Sequence, residues 1–154
     1  MKNFMTENGY DIVSNKIKKL KSERDETLNE MHTVRDAALS TDDTSEIGQF
    51  TQRYQSLNDQ ISELQKVLTT SEIIDISERS NEKAQFGSIV KLYDVNNEKE
   101  MTYQILGTYE TDPKNGIISH TSPLGKSLLG LEVDDLCEVE LGHDFIEYEI
   151  VEIR

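Results

Sequence analysis

With 154 residues, only 35% of them hydrophobic and no tryptophan, the chain is thin material for one round core; an elongated part that buries a stripe, joined to a small compact part, fits better. No apolar run is long enough for a transmembrane span or for the core of a secretion signal, so a cytoplasmic protein without a membrane partner is expected. A net charge of -14 argues against gripping duplex nucleic acid and favours a basic protein surface, a metal ion, or nucleic acid already held by another body.

The first periodic segment carries Val13, Ile17 and Leu20 at helical strides, and Leu28, Met31 and Ala38 continue them imperfectly. Arg24 takes a seam position, where its stem packs while its head reaches water. Lys16, Lys18, Lys19 and Lys21 crowd this segment and read as a solvated helix face, whereas Arg35 and Arg53 lie nearer the next feature. That feature is STDDTSE, Ser40 to Glu46, which gathers Asp42, Asp43 and Glu46 in a short polar stretch. Beyond it Ile47, Phe50, Tyr54, Leu57, Ile61, Leu64 and Leu68 alternate strides of three and four, the seam of a coiled coil. Two such stripes around a polar turn make an antiparallel helical hairpin. Roughly 27 residues at about 1.5 Å each give it a reach on the order of 40 Å, with the acids at its far end.

The acids admit two readings. Asp43 followed three positions later by Glu46 has the form of a helix cap with its capping-box partner. Alternatively, carboxylates on a rod tip bind a divalent ion when another body completes the shell, since magnesium favours a few carboxylates plus waters and phosphates.

From Ser71 the pattern changes. SEIIDISERSNEKAQ reads as a polar linker with one strand-like piece, and after Gly87 the period becomes two. SIVKLYDV and MTYQILGTY form a hairpin around NNEKE, TDPKNG is a turn, and GIISH is a short strand. SPLGKSLLG reads as a short helix, with Ser122 as cap, Pro123 at the first position and Gly130 as stop. LCEVEL and FIEYEIVEI finish as alternating strands around Gly142-His143-Asp144. The expected class is therefore α+β: a hairpin domain over residues 1–77 and, over 78–154, a small antiparallel sheet with one short helix. The lone Cys137 reads as a small core residue, and His32, His120 and His143 stand too far apart for a metal-ligand spacing.

FGSIVKLYDV, TYQILG and above all ISHTSPLGKSLLGLEVDDLCEVEL resemble the bacterial transcript cleavage factors of the GreA/GreB family. The resemblance runs from Met5-Thr6 through Arg154. It implies a coiled-coil hairpin and an FKBP-like globular domain that docks at the rim of the RNA polymerase secondary channel, here through Ser122, Pro123, Leu124 and Gly125. It implies a monomeric factor, not itself an enzyme, whose tip acids reach the polymerase's catalytic centre. There they help hold a Mg2+ shared with the polymerase, the isolated protein binding none, and the polymerase cleaves the 3' end of backtracked nascent RNA.

The tip departs from the family's wording, roughly Asp-Leu-Ser/Lys-Glu-Asn-Ala-Glu-Tyr. Matching DTSEIGQF places Asp43 and Glu46 on the two metal-binding acids, with Asp42 as an auxiliary, but substitutes Ile47, Gly48, Gln49 and Phe50 for the rest. Keeping both arms at family length instead puts Ser40 on the first acid, Asp43 on the second and Glu46 on a third. Arg35 and Arg53 are candidates to steady the RNA 3' end. A Gre-like regulator that occupies the same channel without promoting cleavage is the alternative, and a coiled-coil adaptor that ignores polymerase is a third.

Overall fold

In the computed structural model, which describes residues 2–37 and 45–154, the chain forms two compact units. One comprises residues 11–70; the other comprises residues 1–10 with 71–154, so that both flanks of the hairpin join the globular unit. Strand β1 (Phe4–Met5) leads into α1 (Glu7–Ala37), and α2 spans Ser45–Thr70. At about 1.5 Å per residue, the 31 residues of α1 and 26 of α2 rise about 46 and 39 Å. No described helix is long and apolar enough to cross a membrane.

Three contacts set the pairing of the helices. Arg24 Nη1 donates to Asn58 Oδ1 at 3.4 Å, Arg53 Nη2 to Glu23 Oε1 at 3.1 Å, and the Thr51 hydroxyl to Met31 Sδ at 3.6 Å. Early residues of α1 thus meet late residues of α2, as an antiparallel hairpin requires. Leu57, Ile61 and Leu64 are buried as the second seam predicts, as are Val13, Ile17 and Leu20. The first seam differs in one place: Thr27 is 1% exposed, while Leu28 is only half-buried. The strides run through Arg24 and Thr27 to Met31 and Val34. A threonine holds a seam position because its hydroxyl donates to the Glu23 carbonyl at 2.8 Å and so enters satisfied.

In the globular unit β2 (Glu72–Ile73) pairs parallel with β1. The main sheet contains β3 (Ile89–Asp94), β4 (Lys99–Leu106), β5 (Ile117–Ser119), β6 (Leu136–Leu141) and β7 (Asp144–Ile153), in the order β5-β4-β3-β7-β6. Its pairs are antiparallel except one: β5 runs parallel to β4, joining Gln104 to Ile117 and Leu106 to Ser119. The sheet is therefore mixed, since the connection through two short 3-10 turns carries the chain back before β5 begins. Alternation sends Val90, Leu92, Ile105, Val139, Tyr148 and Ile150 to one face, where Leu124 and Leu128 of α3 (Pro123–Leu128) complete the core.

The start of α1 is fastened within this unit by a carboxylate far away in sequence. Glu110 Oε2 accepts from the backbone N–H of Thr6 at 3.1 Å and of Gly107 at 3.2 Å, and the Thr6 hydroxyl bonds to the other oxygen. The Thr6 hydroxyl oxygen also accepts from Gly9 N at 3.1 Å, capping the helix. Gly9 is required by this packing, because a Cβ there would stand 2.6 Å from Glu110 Cδ. Replacing Glu110 by alanine strands two buried N–H donors, at a cost of about 1–3 kcal/mol. We expect urea denaturation followed by tyrosine fluorescence to show the globular unit weakened by about that amount, with Glu110→Gln intermediate because its amide oxygen still accepts.

Candidate functional site

The segment between the helices is bounded by the last turn of α1 and the first turn of α2. Asp42 and Asp43, with Ser40, lie outside the described residues. Glu46 sits in the first turn of α2, exposed, where a negative charge favours the helix dipole. Its carboxylate makes no ion pair or hydrogen bond among the described residues, so both oxygens remain open as hard donors of the kind magnesium takes. Among the described residues no three His, Cys, Asp or Glu side chains gather into a metal-holding group. One open carboxylate with two more close by in sequence suits a share in an ion's shell, not its enclosure.

The two arginines are placed differently. Arg35 is exposed in the last turn of α1, where a cation complements the helix dipole. Arg53 lies further from the turn, and its guanidinium is paired with Glu23 across the hairpin. Among the described residues Arg35 has no ion-pair partner, whereas Arg53 has one. Partial exposure of both Arg53 and Glu23 keeps the worth of that pair within about 1 kcal/mol.

In the globular unit the Ser122 hydroxyl does two jobs. It donates to the Ser119 carbonyl at 2.6 Å and accepts from Gly125 N at 3.1 Å, which caps α3 as the sequence predicts. Pro123 is exposed at the first helical position, while Leu124 and Gly125 are buried. Of the four residues assigned to docking, Ser122 and Pro123 offer surface; Leu124 and Gly125 shape the corner beneath them. Gly130 follows the helix with φ 86°, the left-handed conformation its position as stop demands.

Of the histidines, His120 is 3% exposed and packs edge-on and tilted against Phe86 and Phe4, at centroid distances of 5.5 and 5.4 Å. Its Nε2 has no partner among the described residues, and burial holds its pKa below the ordinary imidazole value. A group depressed in the folded state stabilises the fold above its unfolded pKa and loses that contribution as pH falls. Melting temperature is therefore expected to fall between pH 7 and 5.5, and to fall less in His120→Phe, which fills the aromatic cluster without a titrating nitrogen. Cys137 is half-buried against the core, and burial pushes its thiol pKa up, away from nucleophilic character.

Sequence patterns missed the Thr6–Glu110 fastening and the His120 aromatic contacts, since neither leaves a local periodicity to read.

Comparison with known proteins brings these features together. Residues 79–154 match the family model described as transcription elongation factor, GreA/GreB, C-term. The chain is 31% identical over 149 residues to the transcription elongation factor GreA of a Nitratiruptor species, covering 97% of this chain and 91% of that protein. It is 34% identical over 154 residues to the GreA of Trichlorobacter lovleyi, covering 97% and 95%. Among solved structures, GreA factor homolog 1 (Gfh1) of Thermus thermophilus aligns at 22% identity and a TM-score of 0.46, over 100% of this chain and 99% of that one.

Proposed function

Since the chain belongs to the GreA/GreB family of transcription elongation factors, we propose that it binds RNA polymerase at the secondary channel and stimulates the polymerase's own cleavage of backtracked RNA. The observation that carries this reading is a pair of antiparallel helices, each about 40 Å long, with Asp42 and Asp43 in the sequence between them and Glu46, without a partner among the described residues, in the first turn of the second. The factor is not itself the catalyst; the bond is broken in the polymerase's active centre.

Each part of the chain has a share. Asp43 and Glu46 supply oxygen donors to a Mg2+ held jointly with the polymerase, and Asp42 adds charge beside them. Such an ion activates water and stabilises the oxygens of a phosphoryl displacement. Stiff coiled helices on both sides of the acid-bearing segment suit the fixed geometry that a transition state asks of a ligand carried on an arm. Arg35 offers a cation to the RNA 3' end. Arg53 does so only by releasing Glu23. In the globular unit Ser122 and Pro123 present the docking corner that Leu124 and Gly125 hold in shape. The factor acts as a monomer, because one arm fills one channel.

The departure of the tip from the family's wording favours a second reading. With Ser40 on the first acid's place, one carboxylate is missing, and a neutral hydroxyl leaves the ion a charge short. In that case the protein occupies the channel and tunes synthesis without cleavage. A purified polymerase halted in a backtracked complex separates the two. Short 3' RNA fragments appearing with the protein and Mg2+ support cleavage stimulation; slowed synthesis without fragments supports the tuning reading; failure to associate with polymerase removes both.

A further inference from the structure

The main sheet has a second face, turned away from α3. There the register sets Leu136, Glu138 and Glu140 of β6 directly opposite Glu149, Glu147 and Phe145 of β7. Alternate residues Cys137, Val139, Ile146 and Tyr148 go to the core side, so these six share the outer surface. Leu136 and Phe145, at opposite corners of the patch, are each 58% exposed. Glu138, Glu140, Glu147 and Glu149 have no ion pair among the described residues. Two cations on or beside the neighbouring strands are paired with other acids: Lys91 with Glu100 at 3.0 Å and Arg154 with Glu152 at 3.4 Å.

Nothing in the fold profits from this arrangement. Like charges directly opposite, as Glu138 and Glu147 are, weaken an antiparallel pair. Large apolar side chains at such exposure leave hydrophobic surface in water. Both penalties reverse against a partner that brings cations to the carboxylates and apolar groups to the corners, the arrangement of anchors and charges found in protein interfaces. The same charge repels phosphate backbones and anionic lipid headgroups. It also repels a second copy of a chain whose net charge is -14.

We infer that the outer face of β6 and β7 docks a Lys/Arg-rich protein segment, its cations pairing with Glu138, Glu140, Glu147 and Glu149 and its apolar side chains covering Leu136 and Phe145. This surface shares no residue with the Asp42, Asp43 and Glu46 cluster or with Ser122–Gly125.

The test uses the full chain and, as probe, a fluorescein-labelled amphipathic peptide of lysine and leucine, read by fluorescence anisotropy. The double variant Glu138→Lys/Glu140→Lys is expected to bind about tenfold more weakly or worse. Glu26→Lys/Glu30→Lys, the same change in net charge on exposed positions of α1, is expected to shift affinity less than about twofold. Phe145→Ser should weaken binding about threefold while leaving its salt dependence unchanged. Glu138→Lys alone places a lysine opposite Glu147, so its melting temperature should equal or exceed that of the parent, which separates lost binding from lost folding. Amide shifts on peptide addition should centre on residues 136–149. Equal weakening by both charge-reversal pairs, or shifts centred elsewhere, overturns the inference. So does concentration-dependent self-association that the Glu138→Lys/Glu140→Lys variant abolishes, which makes a second copy the occupant.

Discussion

Asparagine at position 43 is expected to lower stimulated RNA cleavage about 100- to 1,000-fold while leaving polymerase affinity almost unchanged. Losing one preorganised group that stabilises the charge of a transition state costs about 2.7–4 kcal/mol, and each 1.4 kcal/mol is roughly tenfold. Glu46→Gln is expected to fall in the same range, and raising Mg2+ should restore part of the activity in both, since a weakened ligand set still loads at higher ion concentration. Asp42→Asn should lose less, because its part is auxiliary. Ser40→Asp separates the two alignments of the tip. With Asp43 and Glu46 as the ligands, a carboxylate at 40 adds little; with Ser40 on the first acid's place, the parent is inert and Ser40→Asp gains cleavage. Isosteric substitutions keep the hairpin intact, so a binding assay run beside the cleavage assay distinguishes a lost ligand from a lost arm.

The second large effect concerns the fold that carries the docking corner. Gly125→Ala is expected to destabilise the globular unit by about 3 kcal/mol or more, equivalent to roughly 12–24 °C in melting temperature for a unit of this size. A Cβ at position 125 would overlap the carbonyl oxygen of Ser119 and stand 3.0 Å from both its carbonyl carbon and Ser122 Oγ. The obstacle is backbone, which no rotamer change relieves. Moving α3 away would break the Ser122 cap at both of its hydrogen bonds and lift Leu124 and Leu128 out of the core. Gly48 is the contrast. Among the described residues nothing lies within 4 Å of a Cβ there, and it sits inside α2, so Gly48→Ala should stabilise the hairpin by about 0.5–1 kcal/mol. Calorimetry on the two variants is expected to move in opposite directions.

These contrasts show which features a single sequence displays. The second helix was legible because its seam repeats without a break from Ile47 to Leu68. The first was read with Leu28 in place of Thr27, since a periodicity count treats threonine as polar and cannot see that its hydroxyl is satisfied by its own helix. The strands were legible from alternation, but alternation carries no direction, so the parallel pairing of β5 with β4 had no local sign. The SPLGKSLLG helix was legible down to its cap, because serine, proline and glycine each act through backbone geometry at a fixed offset. That same motif was assigned to docking, whereas Leu124 and Gly125 are buried. The Thr6–Glu110 fastening joins residues 104 apart, beyond the reach of any local pattern. At the hairpin's end, Glu46 is found exposed at the head of α2, while the remaining acids of the cluster fall in the undescribed segment.

If the protein acts as proposed, the segment between its two long helices enters the polymerase. A photo-crosslinking amino acid at Thr41, in the full chain bound to a backtracked complex with labelled RNA, tests that directly. Crosslinks to the RNA 3' end and to the polymerase segment holding its catalytic ion, lost when excess unmodified protein competes, are the predicted result. Crosslinks confined to the polymerase's outer surface, with none to RNA, would contradict it.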